Sequence, residues 1–186
     1  GAGYWIKFNE ADTIEVCGRE SAAGEILVKE GWNLIGPLEQ DVVVSALSTV
    51  PAGVLTSEFF GYDKGYYVAE VLRGGKGYWV QASQSGIIKL NNEGLLAKRG
   101  QSPSAVPEIG ERFAGEIIIT DAQGNESILY VGADEDLSSM FALPPVPPTG
   151  VFDARFANDQ FVTDLNAPGQ INLQSEAFPI RVQSIG

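Results

Sequence analysis

The sequence predicts an all-β protein with at most one short helix, built as two small antiparallel β-sandwich or barrel-like units in tandem. Three observations carry that expectation. Hydrophobic residues make up 44% of the 186, enough to bury a core, and they are rich in Val, Ile, Phe, Tyr and Trp beside 22 Gly and 10 Pro. That is a mixture of strand formers and turn residues. Apolar runs are short and are bounded by Gly, Asp, Asn and Ser clusters. Finally, the chain uses one strand-like motif twice: Gly3-Tyr4-Trp5-Ile6 and Gly77-Tyr78-Trp79-Val80, each followed by a polar residue, Lys7 or Gln81.

In chain order, residues 4–8 read as a strand and residues 13–16 as a weaker second. Residues 25–29 make a third, and Glu30-Gly31 turns the chain into a strand over 32–35. Residues 41–49 predict a short helix, capped by Asp41, with Val44 and Leu47 on one face and Pro51 ending it. Residues 58–62 and 66–72 form a hairpin around Asp63-Lys64-Gly65, whose glycine can take a positive φ. The turn at 73–77 leads into the second Gly-Tyr-Trp strand, and Ser85-Gly86 turns the chain again before a strand over 87–90. Trp5 and Trp79 are expected on neighbouring strands of one core, with Tyr4 and Tyr78 on the opposite face.

This first unit spans residues 1–93. Residues 94–110 are polar, turn-rich and aperiodic, with Lys98-Arg99-Gly100, Pro107 and Gly110, and read as a linker. The second unit, 111–186, opens with the clearest hairpin, residues 115–120 and 127–131 around Asp121-Ala-Gln-Gly-Asn125. Residues 143–148, Leu-Pro-Pro-Val-Pro-Pro, must be extended, because proline fixes φ and lacks a donor. Residues 151–156 alternate like a half-buried strand, and residues 171–173 and 178–182 supply two more.

Charge and composition remove whole function classes. A net charge of −12 and the absence of any basic stripe disfavour nucleic acid and anionic lipid as partners. No apolar run approaches the ~20 residues of a membrane-spanning helix, so no membrane insertion is expected. With no histidine, the His-dependent triads and His-ligated metal sites are gone. The lone Cys17, between Val16 and Gly18, reads as a buried structural thiol. A start at Gly1, inside a strand motif and without Met, predicts a fragment of a longer precursor.

Paired carboxylates are the hydrolytic machinery left. Glu20, Glu25, Glu30, Glu58, Glu70, Glu108, Glu111 and Glu116 mostly fall at turn edges or outward strand positions, where solvated carboxylates belong. No enzyme and no cofactor is therefore expected. Calcium is the metal the sequence best admits, at Asp134-Glu135-Asp136 or at Asp121 with Asn125, although hairpin chemistry already accounts for the latter pair. Arg73-Gly-Gly-Lys-Gly77 precedes a strand where a phosphate cradle needs a helix, so it is a turn.

The aromatics carry the binding hypothesis. Exposed rings can stack on pyranose faces, and strand alternation sends neighbouring rings to opposite faces. Tyr4, Tyr66, Tyr67, Tyr78 and Trp32 are the candidate ligand-binding residues, with a polysaccharide or cell-surface glycan as the ligand class.

The series Gly-Tyr-Trp, Gly31-Trp-Asn-Leu-Ile-Gly36, Phe60-Gly-Tyr62, Gly65-Tyr66 and Gly75-Lys-Gly-Tyr-Trp-Val80 resembles a β-rich module of large secreted bacterial surface proteins. Thr120-Asp-Ala-Gln-Gly-Asn125, Leu143-Pro-Pro-Val-Pro-Pro148 and Val151-Phe-Asp-Ala-Arg-Phe156 are similar to stretches that follow it. In those proteins the stretches lie near the C-terminus, commonly ahead of a type IX secretion sorting domain. The resemblance covers most of the chain. It implies a secreted, multidomain parent, neighbouring domains as partners and no catalytic residues; the sorting domain itself does not occur in this sequence.

The expectation that results is a non-catalytic extracellular module for binding or adhesion, an accessory part of a larger secreted protein. The alternative is a structural spacer or assembly domain of a cell-surface protein, with no soluble ligand. Three or more rings in an exposed coplanar strip or lining a groove would favour the first; burial of all the Trp and most Tyr side chains would favour the second.

Overall fold

The computed structural model describes residues 3, 5, 24–36, 41–90, 109–133, 139–164 and 179–183. Their strands run β1 (Glu25–Val28), β2 (Gly31–Ile35), β3 (Val42–Val43), β4 (Leu47–Val50), β5 (Phe60–Tyr62), β6 (Tyr66–Val68), β7 (Val71–Leu72), β8 (Tyr78–Ala82) and β9 (Gly86–Leu90). They continue as β10 (Gly115–Thr120), β11 (Glu126–Ala133), β12 (Asp153–Phe156), β13 (Val162–Asp164) and β14 (Ile180–Gln183). Among the described residues the helical turns are short 3-10 segments, at Val44–Ala46, Ile109–Arg112 and Ser139–Phe141. The protein is all-β, with several small sheets.

The sheets are ordered β1-β9-β4, β2-β8-β5-β6, β10-β11-β13, β12-β14 and β3-β7. Pairing is antiparallel except between β11 and β13, which run parallel. The four-stranded sheet is the middle layer, because its strands are apolar at both parities. From one face Ile35, Tyr78, Val80 and Ala82 pack with Ile26, Val28, Ile88 and Leu90 of the β1-β9-β4 sheet, closed by Val42, Val54 and Leu72. On the other face Phe60, Tyr66, Trp32, Tyr62 and Trp79 pack against Leu129, Tyr130, Phe141, Leu143, Phe156, Phe161 and Val162.

The second core therefore draws on residues from both sides of the 94–110 stretch. Polar contacts reinforce it. The Glu58 N–H donates to Met140 O at 2.9 Å, and the Tyr62 hydroxyl donates to Phe152 O at 2.7 Å. Residues 1–93 and 111–186 are not two units with separate cores; the middle sheet is finished on one face by its own half and on the other by the second half.

The helix expected over 41–49 is absent. Val42, Val43 and Val44 are three β-branched residues in succession, which crowd a helix and suit a strand. Val42 pairs with Leu72 and Val43 with Val71, and a single 3-10 turn carries the chain into β4. Asp41 caps nothing in that turn. Its carboxylate accepts instead from the Gly74 N–H at 2.9 Å and from Arg73 Nη1 at 3.0 Å.

Two hairpin details also differ. In the β5–β6 turn the positive φ is taken by Lys64, at 62°, and not by Gly65. Gly65 is required for closeness: a Cβ there would stand 2.5 Å from Glu126 O of β11. Along β12 all four positions are buried, where the alternation predicts half. The two polar ones, Asp153 and Arg155, are neighbours on one face and neutralise each other. Arg155 Nε donates to Asp153 Oδ2 at 2.6 Å and Nη2 to Oδ1 at 3.0 Å.

Residues 143–148 form neither helix nor strand, and the chain bends at Pro145. Such a segment offers acceptors with few donors, so side chains must come to it. Arg155 Nη1 donates to Pro144 O (2.9 Å), the Tyr66 hydroxyl to Pro145 O (2.9 Å) and Gln183 Nε2 to Pro148 O (3.1 Å). The strands expected at 13–16 and 171–173, most of the 94–110 linker and Cys17 lie outside the described residues.

Candidate aromatic site

One residue from each copy of the repeated motif meets β2. The Gly3 N–H donates to Leu34 O at 2.7 Å, while Leu34 stands opposite Trp79 on β8. Gly3 and Trp79 thus both adjoin Leu34 of β2, and the rest of the strand expected over residues 4–8, apart from Trp5, lies outside the described residues. Leu34 lies nearest to both motif glycines. A Cβ on Gly3 would come within 2.7 Å of Leu34 Cγ, and one on Gly77 within 3.5 Å of Leu34 Cδ1. Gly3 leaves room for this leucine, whereas at Gly77 a Cβ would make ordinary van der Waals contact with it.

The rings meet edge to face. Trp5 meets Tyr62 at 5.1 Å and 73°, Trp32 meets Trp79 at 6.4 Å and 85°, and Tyr62 meets Tyr66 at 5.4 Å and 85°. Trp32 also meets Phe60 at 62°. This is the T-shaped geometry that interlocks aromatic cores. It is not the coplanar strip that a sugar chain would lie on.

The four expected ligand residues that are described, Trp32, Tyr66, Tyr67 and Tyr78, are not gathered into one surface. Tyr66 and Trp32 face the second core, whereas Tyr78 faces the first, so the middle sheet separates them. Tyr78 is only 1% exposed and its oxygen accepts the Arg73 N–H at 2.9 Å. It is a core residue with no face for a ligand, and the outward placement expected for it is corrected. β8 is covered on both sides, so neither ring of its Tyr-Trp pair can be the outward one. Tyr66 is likewise buried, with the Arg155 guanidinium 6.0 Å above its ring. Burial pushes the Tyr66 hydroxyl pKa well up, and the Arg155 charge only partly offsets this. Trp32 is half-buried. Tyr4 lies outside the described residues.

Tyr67 remains, 41% exposed on β6. It pairs across the hairpin with Gly61, and a Cβ on Gly61 would fall inside its ring, 2.8 Å from Cε1 and nearer to Cζ and Oη. The ring therefore lies against bare backbone. Burial at its edge pushes the Tyr67 hydroxyl up to about 12, helped by Tyr78, whose hydroxyl it hydrogen-bonds, and by the Asp63 charge; Arg73 opposes. Sequence reasoning names Tyr67 but misses Gly61, Arg73 and Asp41 around it. The available signal was register: a hairpin turning at Asp63-Lys64 puts residue 61 opposite residue 67.

Several of the described carboxylates are engaged in ion pairs or hydrogen bonds. Asp41 pairs with Arg73, Glu58 with Arg112, Glu25 with Lys89, and Asp153 and Asp159 with Arg155. Asp121, one calcium candidate, holds its hairpin. Its oxygens accept from the N–H groups of Gln123 and Asn125 and from Asn125 Nδ2, at 2.7–2.9 Å. Desolvation opposes ionisation there, but the hydrogen bonds from Asn125, Gln123 and Gly124 outweigh it and hold the carboxyl below its ordinary range. Among the described residues no three Cys, Asp or Glu side chains are grouped to hold a metal; residues 134–136 lie outside them. Nor, among the described residues, is any helix long and apolar enough to cross a membrane.

Comparison with protein-family models, with curated proteins and with solved structures finds no match to this chain.

Proposed function

We propose that the protein is a non-catalytic structural module, a spacer or assembly domain of a larger extracellular protein that packs against its neighbouring domains. The single observation that carries this is the second core. Aromatic residues on which a binding reading would rely, Trp32, Phe60, Tyr62, Tyr66 and Trp79, are packed against Leu129, Phe141, Phe156 and Phe161 of the other half. They join the chain into one body. An extended polysaccharide platform is the reading this disfavours, since the rings cross at 62–85°. The extracellular setting rests on the resemblance to secreted surface proteins.

Equilibrium unfolding tests the reading. Trp fluorescence reports Trp32 and Trp79 between the halves, and circular dichroism reports all strands. One coincident transition is expected. Two separated transitions, or a fragment of residues 111–186 that folds by itself, would overturn it. So would strong retention on cellulose, chitin, xylan, β-glucan or mannan that survives replacement of every exposed ring.

A further inference from the structure

We propose that the free side of β10 takes the β10 strand of a second copy of this chain, antiparallel and centred on Ile118, so that two three-stranded sheets join into one. The proposal rests on the reading of an assembly domain and names its partner. A chain that stays monomeric yet unfolds in one transition would defeat the pairing and leave that reading standing.

β10 lies at the end of the β10-β11-β13 sheet, and two bonds fix which way its backbone groups point. The Asp121 N–H donates to Asn125 O at 3.0 Å, which continues the β10–β11 register by one pair. The Tyr130 N–H, opposite Glu116, donates away from β10, to Phe161 O at 3.1 Å. Hydrogen-bonded and non-bonded pairs alternate along an antiparallel ladder. Gly115, Ile117 and Ile119 therefore bond to β11, while Glu116, Ile118 and Thr120 turn their N–H and C=O groups outward. Among the described residues none of these outward groups has a backbone partner. The same three residues are the exposed ones, and Ile118 keeps 58% of its surface in water. Edge strands are ordinarily guarded by proline, lysine or a bulge. Gly115–Thr120 has no proline or lysine, and its register with β11 is unbroken.

The edge is complementary to itself. For two outward rows to bond, residues 116, 118 and 120 of one copy must face the same three positions of the other. Centring the pair on Ile118 meets this condition and overlaps the strands fully. Ile118 then stands opposite the partner's Ile118, Ile117 opposite the partner's Ile119, and Glu116 opposite the partner's Thr120. Each outward pair exchanges two hydrogen bonds. The only charge of the strand meets a threonine, whereas a slip of four residues would set Glu116 against its own copy, and like charges directly opposite are destabilising. The contact is the same patch on both copies, so two chains close it and no filament grows. Net charge works against it: each copy carries −12, and the repulsion weakens as salt screens it.

The test uses the intact chain. An edge of this length falls below the size of stable dimer interfaces, so a dissociation constant on the order of 0.1 mM is expected. Sedimentation should show mostly monomer at about 0.01 mM and mostly dimer at about 1 mM. The dimer fraction should be larger at about 0.5 M salt than at about 0.05 M. Amide exchange at Glu116, Ile118 and Thr120 should slow roughly fourfold between the two protein concentrations, following the monomer fraction. Ile117 and Ile119, bonded to β11, should be protected equally at both. In a mixture of isotope-labelled and unlabelled copies, filtered NOEs should join Ile118 to the partner's Ile118. Ile118→Lys, at an exposed position, should keep the circular dichroism of the parent and abolish the dimer. The exchange and NOE measurements need no variant, so they decide the matter even if Ile118→Lys does not fold. The proposal is overturned if the outward amides ignore concentration, if the NOEs set Ile118 against another residue, or if the dimer survives Ile118→Lys. A dimer that weakens as salt rises would also overturn it, because the contact would then be driven by charge on another face.

Discussion

Replacing Arg155 by Met should destabilise the protein by about 3–5 kcal/mol, the cost of leaving a buried charge without its partner. Arg155 and Asp153 are 2% and 4% exposed at the side chain. The substitution strands the Asp153 carboxylate and also removes the donor to Pro144 O. With a urea m-value near 2 kcal/mol/M, the midpoint would fall by roughly 2 M. Trp fluorescence follows this directly, since Trp32 and Trp79 line the same core. Asp153→Leu alone should be about as harmful, for it strands the guanidinium. The double variant should recover at least about half of the loss, because an apolar pair of similar volume often replaces a buried ion pair without penalty. Recovering half of the summed loss of about 6–10 kcal/mol means a coupling energy of at least about 3 kcal/mol from the cycle. Effects that add within about 0.5 kcal/mol would refute the reasoning and show that Arg155 is held by shape and not by Asp153.

Phe60→Ala should cost about 3–5 kcal/mol, since the side chain is fully buried, and should lower one common unfolding transition seen by fluorescence and circular dichroism alike. Gly61→Ala should displace the Tyr67 ring, lowering the thermal midpoint and moving the Tyr67 phenol toward its ordinary titration range in an absorbance titration. Alkaline stability should fall early and steeply. Tyr62 and Tyr67 are raised to about 12 in the folded protein and Tyr66 is raised as well, so the folded state holds these protons after the unfolded chain has lost them. Their contribution is complete below about pH 10, the unfolded value, and is lost as pH rises through the folded values; denaturant midpoints across that range should drop monotonically, and a flat profile would contradict the assignment.

Much of the fold is legible residue by residue. The β10–β11 hairpin follows from a strand run, a polar turn and a second run, and the turn works through the Asp121 and Asn125 side chains, which local chemistry dictates. The segment at 41–49 misleads because Asp41 looks like a cap. Its partners, Arg73 and Gly74, are more than thirty residues away and give no local signal. The same holds for Arg155. Asp-x-Arg on a strand places both side chains on one face, but whether that face meets water depends on the proline segment and Tyr66. Apolar residues at both parities of β8 were the sign that its sheet is covered twice, and they count against an outward Tyr78. The candidate site was legible only as Tyr67; its floor and its charged rim depend on register and on a long-range pair.

The tyrosine bonds that close the second core reach far along the chain. Tyr62 and Phe152 are 90 residues apart, and Tyr66 and Pro145 are 79 apart. Closing loops of that length is an entropic toll that no local contact relieves first, so folding should be slow for a domain of this size. During synthesis the first half emerges with one face of its sheet, Phe60 and Trp79 included, still wet and adhesive. Until about residue 161 has left the ribosome, the nascent chain presents a greasy sheet surface, because its partners come last in the order of the strands.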